Sequence, residues 1–397
     1  MNPNIVRLYQ IAQQPSRRIL GLMSGTSLDG LDIALCRCSG SGPATAVELE
    51  HFVTKPYSAA FRADIQSVFA QRDADLQKVA LLNEHIALTH AQLIREALAG
   101  WGIPAQSVDL IASHGQTIFH APKILHGQAA YPNATLQIGD GDHLAVHTGI
   151  ITLSDFRQKH LAAGGEGAPL AVYGDYLLFS QPGEDRMMLN IGGIANFTYL
   201  PGDGDAGRVF STDVGPGNTL MDRVVQEHYP GQFFDADAAH AQAGSVHRGL
   251  LAALLADPFF EAAFPKTTGP ELFSRMYLRA AQERSDSLSI SPNDLLATLC
   301  HFTAEGIIKA LKSTASPAAP VVYMSGGGMH NPLLVQLLQQ GLPGWTFKTT
   351  AQLGILPDAK EAVLFALLAN ETLAGRPINF GSRQGVPSVC MGKISFP

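Results

Sequence analysis

Glycine, hydroxyl and carboxylate side chains crowd the segment Gly21-Leu-Met-Ser-Gly-Thr-Ser-Leu-Asp-Gly-Leu-Asp32 in a pattern suited to holding a polyphosphate. An apolar run from Ile19 to Met23 enters it, and Leu31, Ile33 and Leu35 alternate with Asp32, Ala34 and Cys36 beyond it, which predicts strand, turn, strand. The turn spans Ser24 to Gly30. Gly25 and Gly30 let the backbone approach a ligand, and Thr26 and Ser27 add hydroxyl donors to the exposed N–H groups. An ordinary glycine-rich hairpin fits this loop alone just as well.

The same device recurs. Met187-Met-Leu-Asn-Ile-Gly-Gly-Ile-Ala-Asn-Phe-Thr-Tyr-Leu200 again reads strand, glycine turn, strand, and Val321-Val-Tyr-Met-Ser-Gly-Gly-Gly-Met-His-Asn-Pro332 is an apolar strand running into three glycines and a helix. Val108 to Ser113, followed by His114-Gly-Gln-Thr117, holds in the first half the place that Val321 to Gly328 holds in the second. Each half is therefore a glycine hairpin followed by a strand that ends in a polar loop, the pattern of an internal duplication.

The elements that must carry these loops alternate between strand and helix, which predicts an α/β architecture. Helices are expected over 61–70, 76–98, 141–148 and 168–179, then over 295–312, 332–338 and 358–373. Ser291-Pro292 and Asn331-Pro332 are N-terminal signals, and Asn331 should cap its helix with the positive end toward the three glycines. The polar turn Gln181-Pro-Gly-Glu-Asp185 divides the chain into an N-terminal domain of 1–183 and a C-terminal domain of 184–397. With 397 residues, 46% hydrophobic and 15% charged, two ordinary cores can be buried. Only the first residues and Gly40 to Ala44 look disordered.

A net charge of −7 argues against a general nucleic-acid or anionic-membrane surface. No apolar run approaches the ~18 residues needed to span a bilayer, so the expected location is cytoplasmic. Cysteines 36, 38, 300 and 390 form no disulfide framework. Cys36 and Cys38 share a strand face and could hold a metal, but without a second pair at zinc spacing they read as small buried residues. His114, His120 and His126 lie in no metal-binding helix pattern.

Gly-Leu-Met-Ser-Gly-Thr-Ser-Leu-Asp-Gly, His-Gly-Gln-Thr, Leu-Gln-Ile-Gly-Asp, Ser-Asp-Phe-Arg, Gly-Ala-Pro-Leu, Leu-Asn-Ile-Gly-Gly-Ile-Ala-Asn, Asp-x-Gly-Pro-Gly-Asn and Gly-Gly-Gly-x-x-Asn-Pro-Leu occur here in the order seen in anhydro-N-acetylmuramic acid kinases. The chain resembles that family from about Leu20 to Asn370. The resemblance implies the duplicated two-domain fold of the sugar kinase, Hsp70 and actin superfamily (ribonuclease H-like), with ATP in the interdomain cleft. It also implies that 1,6-anhydro-N-acetylmuramic acid is opened and phosphorylated to N-acetylmuramic acid 6-phosphate in cell-wall recycling.

By that resemblance Asp213, in Ser211-Thr-Asp-Val-Gly-Pro-Gly-Asn218, is the candidate catalytic base. From residue chemistry alone it could equally cap the following helix or fix the Gly-Pro-Gly turn. The ATP-binding segment is Gly25, Thr26, Ser27, Leu28, Asp29, Gly30, Leu31 and Asp32, with Gly192 and Gly193 flanking the phosphates. Gly326, Gly327, Gly328 and Asn331 would lie near the adenosine. ATP brings Mg²⁺. Met23 stands where many superfamily members have an aspartate, which leaves Asp29, Asp213 and Glu361 as available acids, Asp29 and Glu361 being the metal-ligand candidates. Glu361 could as easily be a favourable charge at a helix start.

Arg157 is the candidate partner of the sugar's lactyl carboxylate, against the alternative of a surface salt bridge. Asp155, His114, Gln116 and Thr117 are expected to line the same pocket. Lys266-Thr-Thr-Gly269 matches a further family segment without an assignable role. Val214 beside Asp213, Gln158-Lys159-His160 and Gly165-Glu166-Gly167 depart from the family pattern and bear on substrate preference. The rival functions are a conventional sugar kinase acting on a free hydroxyl and an ATP-driven binding or assembly module. The partners implied are the sugar and ATP, with no nucleic acid and no membrane, and a homodimer is left open.

Overall fold

The computed structural model describes residues 1–25, 27–168, 170–269, 272–314, 319–381 and 385–397. Thr26, one of the expected hydroxyl donors, lies outside them. The chain forms two compact units, Met1–Phe179 together with Gly354–Pro397, and Ser180–Leu353.

In the first unit the apolar run around Ile19 becomes a central strand, β1 (Ser16–Ser24), because it is buried on both faces. It pairs antiparallel with β2 (Gly30–Ser39), which pairs antiparallel with β3 (Ala46–Pro56). On its other side β1 runs parallel to β4 (Leu110–Ala121), and β4 runs parallel to β6 (Ile151–Ser154). The outer half of β4 also pairs with β5 (Ala134–Ile138), and the short strand β12 (Lys393–Ser395) closes the edge against β6. The order is β12-β6-β4-β1-β2-β3.

The second unit repeats this connectivity. β7 (Arg186–Ile191), β8 (Ile194–Leu200) and β9 (Phe210–Pro216) form an antiparallel meander, while β10 (Val321–Ser325) lies parallel to β7 and β11 (Thr346–Thr349) parallel to β10. The order β9-β8-β7-β10-β11 thus matches β3-β2-β1-β4-β6 strand for strand. In both, the second strand alone opposes the rest, which is the ribonuclease H-like order. The duplication expected from the two glycine hairpins is present as topology, and β4 and β10 occupy equivalent places.

The helices follow the apolar spacing, with edges shifted by a few residues. They include Ala59–Gln66, Leu76–Trp101, Gly141–Thr148 and Ala171–Phe179 in the first unit, and Pro292–Ser313 and Pro332–Gly341 in the second. Ser291 accepts the Asp294 N–H at 3.1 Å and Asn331 accepts the Leu334 N–H at 2.9 Å, so both predicted caps form.

Three expectations need correction. The first residues are ordered: Pro3–Gln13 is a helix, started by Asn2, which accepts the Asn4 N–H at 2.8 Å, and by Pro3 in its first turn. The turn at Gly40 to Ala44 is also tied down, since Glu371 accepts the Gly42 N–H at 2.8 Å and the Thr45 hydroxyl at 2.7 Å.

The third concerns the boundary, because residues 354–397 belong to the first unit, whereas the sequence division assigned them to the second. The helix Lys360–Ala374 is buried continuously from Ala362 to Glu371, so it must be covered by a sheet. It finds that sheet at β1: a Cβ on Gly21 would stand 1.9 Å from the Ala362 carbonyl oxygen, so only glycine admits the approach. Arg17, 2% exposed, donates from Nε to Asn370 Oδ1 at 2.7 Å and fastens the helix's far end.

Candidate functional site

The first glycine loop, between β1 and β2, is organised from inside. Ser24 donates to Gln116 Oε1 at 2.5 Å and lies 2.7 Å from the Tyr57 hydroxyl, which lies 2.8 Å from His90 Nε2. With the serine proton committed to Gln116, Tyr57 must donate to Ser24 and His90 Nε2–H to Tyr57, which fixes the polarity of the whole chain. Gln116 passes it on, its amide nitrogen donating to the Gly25 carbonyl at 3.3 Å and to the Thr117 carbonyl at 3.1 Å.

Within the loop, Asp29 Oδ1 accepts the Ser27 hydroxyl at 2.6 Å and the Gly30 N–H at 3.1 Å. One oxygen of this metal-ligand candidate is therefore used by the loop itself. Leu28 and Leu31 are buried core side chains, so only their backbone could meet a nucleotide. Asp32 is half-buried and accepts the Thr54 hydroxyl at 2.6 Å. Burial pushes its carboxyl above the usual range, Thr54 opposes this, and neighbouring Asp29 and Asp358 add to it.

His114 and Gln116 were expected in a loop lining the sugar pocket. β4 instead continues through them, because β5 supplies a partner beyond Gln116, and both side chains are buried. Thr117 is half-buried and accepts from Gln137 Nε2 at 3.0 Å. His114 holds Arg157: Arg157 Nε donates to His114 Nε2 at 2.9 Å, and Nη1 donates to the Gly167 carbonyl at 2.6 Å. Because arginine can only donate, His114 must be neutral with its lone pair on Nε2. Burial agrees, pushing His114 down to about 3, with Arg157 adding to the effect.

Among the described residues no carboxylate lies within 4.0 Å of Arg157. Glu361 interacts with its charge at longer range. Solvent reaches Glu361, yet enough protein surrounds it to push its carboxyl up, with Arg157 pulling down and Asp32 pushing up. Asp155, by contrast, is ion-paired with Lys393 across the β6–β12 edge, which accounts for its carboxylate without a sugar.

The depressed histidines set an acid limit on the fold. Burial lowers both His90 and His114 from 6.5 to about 3. Below pH 6.5 the unfolded chain takes up protons that the folded chain refuses, so each group costs about 1.4 kcal/mol of stability per pH unit until the folded value is reached. Urea unfolding at pH 7.5, 6.5 and 5.5 should show little change over the first step and a steep loss over the second. A His90→Gln variant should lessen that loss.

In the second unit Asp213 lies on β9 itself, opposite Asn196, and not in the loop that follows. Its N–H donates to the Lys266 carbonyl at 2.9 Å, and its Oδ2 accepts the Thr268 N–H at 2.8 Å. The helix-capping alternative is not realised, since Thr219–His228 begins at Asn218 without a side-chain cap. Val214 beside it is 1% exposed and belongs to the core, so the missing hydroxyl is a packing choice.

The glycines of this unit divide by cause. Gly192 and Gly193 form the β7–β8 turn, and their carbonyls accept the N–H groups of Asn218 and Gly217, both at 2.8 Å. A Cβ on Gly326 would meet Asn190 Oδ1 and the Ile191 carbonyl oxygen at 2.7 Å, and one on Gly328 would meet Ile191 Cγ2 at 2.3 Å. Those two glycines are required by packing against β7, whereas Gly327 has room for a side chain. Asn331 spends its oxygen on the helix cap.

Tyr57, His90, Gly167 and Thr268 make contacts within the candidate site that the sequence did not reveal. Their partners lie 33, 33, 10 and 55 residues away, so no local pattern marks them. Among the described residues no group of three or more His, Cys, Asp or Glu side chains is placed to hold a metal, and burial pushes the Cys38 thiol up to about 12.

Residues 17–396 match the sequence family described as Anhydro-N-acetylmuramic acid kinase. A protein of that name from Pseudoalteromonas atlantica is 54% identical over 400 residues, covering 100% of both chains. Another from Caldanaerobacter subterraneus subsp. tengcongensis is 40% identical over 398 residues, covering 98% of this chain and 100% of the relative. Among solved structures, the activator of the 2-hydroxyisocaproyl-CoA dehydratase from Clostridium difficile with bound ADPNP aligns over 90% of this chain and 95% of that one. Its TM-score of 0.39 at 9% identity is too slight a likeness to argue from.

Proposed function

The chain belongs to the anhydro-N-acetylmuramic acid kinase family, and from that membership we propose how its own residues divide the work. It is an ATP-dependent kinase that opens the 1,6-anhydro ring of 1,6-anhydro-N-acetylmuramic acid and phosphorylates O6, in peptidoglycan recycling. The full-length family match is the observation that carries this function.

The chemistry demands two linked events, because O6 is tied to C1 and has no hydroxyl to offer. Water attacks C1 and gives a proton to Asp213 as the C1–O6 bond breaks. O6 then takes the γ-phosphoryl group, and ADP leaves. What supports Asp213 is its fixed carboxylate on β9, with Oδ2 turned to the Thr268 N–H. What supports Arg157 as the clamp for the lactyl carboxylate is a guanidinium held from behind by His114 and Gly167, with no ion-pair partner within 4.0 Å among the described residues. His114 and Gln116 become positioning residues in this account.

The glycine loop at 25–32 and the turn at Gly192-Gly193 are proposed to hold the phosphates. Mg²⁺ is proposed to enter with ATP and to keep mostly phosphate and water ligands, as this cation prefers. Burial holds the Asp32 carboxyl up, with neighbouring Asp29 and Asp358 adding to it, so a cation bound beside it would favour its ionised form. No helix among the described residues is long and apolar enough to cross a membrane. We place the enzyme in the cytoplasm, where ATP is supplied.

Mass spectrometry of the product made from anhydro-sugar and MgATP in ¹⁸O-labelled water tests the coupled reaction. One phosphate and one ¹⁸O at C1 are expected. Unchanged anhydro-sugar, with ATP consumed on an ordinary sugar hydroxyl, would return the conventional kinase reading.

A further inference from the structure

The Lys266-Thr-Thr-Gly269 segment, which the sequence singled out without a role, is bound to β9 at the position of Asp213. Asp213 N–H donates to the Lys266 carbonyl at 2.9 Å, and the Thr268 N–H donates to Asp213 Oδ2 at 2.8 Å. Thr212 completes the contact. Its hydroxyl accepts the Lys266 N–H at 3.0 Å and sits 3.2 Å from the Lys266 carbonyl oxygen. The segment therefore grips both the backbone and the carboxylate of one residue.

The segment is itself anchored at its start. Lys266 Nζ donates to the Phe259 carbonyl at 2.7 Å and stands 4.3 Å from the centre of the Phe259 ring and 5.2 Å from that of Phe264. An ammonium held between a carbonyl and two aromatic faces cannot swing away, and the mainchain that follows it is held with it. A surface lysine has no need of this setting.

We propose that Lys266 and Thr268 form a clamp that sets the position and the charge of Asp213 for the attack on C1. The clamp rests on the reading of Asp213 as the base. Lys266 is a positioning residue and touches no reacting atom. The Thr268 N–H donates to Oδ2, and a hydrogen bond donated to a carboxylate favours its ionised form, the form that accepts the water's proton.

Two variants test the clamp, with Asp213→Asn assayed beside them. Thr268→Pro removes the N–H, so the acid limb of the kcat/KM profile should move up by about one pH unit. Lys266→Met keeps the aliphatic stem and loses the anchor, so kcat per folded enzyme should fall about tenfold while both KM values stay within about twofold. A merely structural role would lower the melting temperature and leave those two readouts alone.

Wild-type kcat and pH profile in folded Lys266→Met and Thr268→Pro, with Asp213→Asn inactive, would overturn the clamp and spare the base. If Thr268→Pro does not fold, the kcat of Lys266→Met decides alone. Full ring opening by Asp213→Asn would instead overturn the base reading, and the clamp with it.

Discussion

Asp213→Asn is expected to lower the rate of ring opening by about 10²- to 10⁴-fold, the contribution of a positioned general base. The substitution is chosen because asparagine keeps an oxygen that can accept the Thr268 N–H, so the side chain stays where the aspartate was. What it loses is the capacity to take a proton. KM for ATP should change little, since asparagine has the size of aspartate and keeps the Thr268 contact, which leaves the glycine turns proposed to hold the phosphates undisturbed. Release of sugar phosphate under single-turnover conditions checks this. A rate within about threefold of wild type would remove Asp213 from the mechanism.

Gly21→Ala should be the most damaging single methyl group in the first unit. Its Cβ would stand 1.9 Å from the Ala362 carbonyl oxygen, 2.8 Å from the carbonyl carbon and 3.1 Å from the Ala366 nitrogen. These are backbone atoms of a helix buried from Ala362 to Glu371, so no side-chain rotation relieves the clash. The helix must lift from β1, at a cost of about 3 kcal/mol or more. Urea unfolding measures it, and a change under about 0.5 kcal/mol would contradict the packing.

The strands around Gly25, Gly192 and Gly326 were legible because apolar runs bounded by glycine have a short-range signature, and the duplication followed from their spacing. The helix Arg275–Arg284 was not, since it buries only Leu278 and Ala281, too few apolar residues to stand out, and its Ser274 cap is a single residue. β4 was cut short at Ser113 because His-Gly-Gln-Thr looks like a turn, and only the pairing of Gln116 with Ile138 shows why it stays extended. The site divides in the same way. Asp213 and Arg157 stood inside motifs, whereas His114 as an acceptor for Arg157, or Thr268 as a donor to Asp213, joins residues 43 and 55 positions apart. Burial is equally invisible in a string, so nothing in it shows that the side chains of Leu28, Leu31 and Gln116 turn into the protein.

The return of residues 354–397 to the first unit governs the order in which a ribosome can finish the two halves. Domains made first usually fold first. Here the half begun first must wait, because the helix that covers β1 and the strand that closes β6 are translated after Leu353. Until they emerge, Ile19, Leu20 and Leu22 belong to a sheet without its cover, while the intervening unit already has all five of its strands. A nascent chain stalled near Leu353 should therefore present one protease-resistant half and one chaperone-binding half, with the younger sequence the more mature.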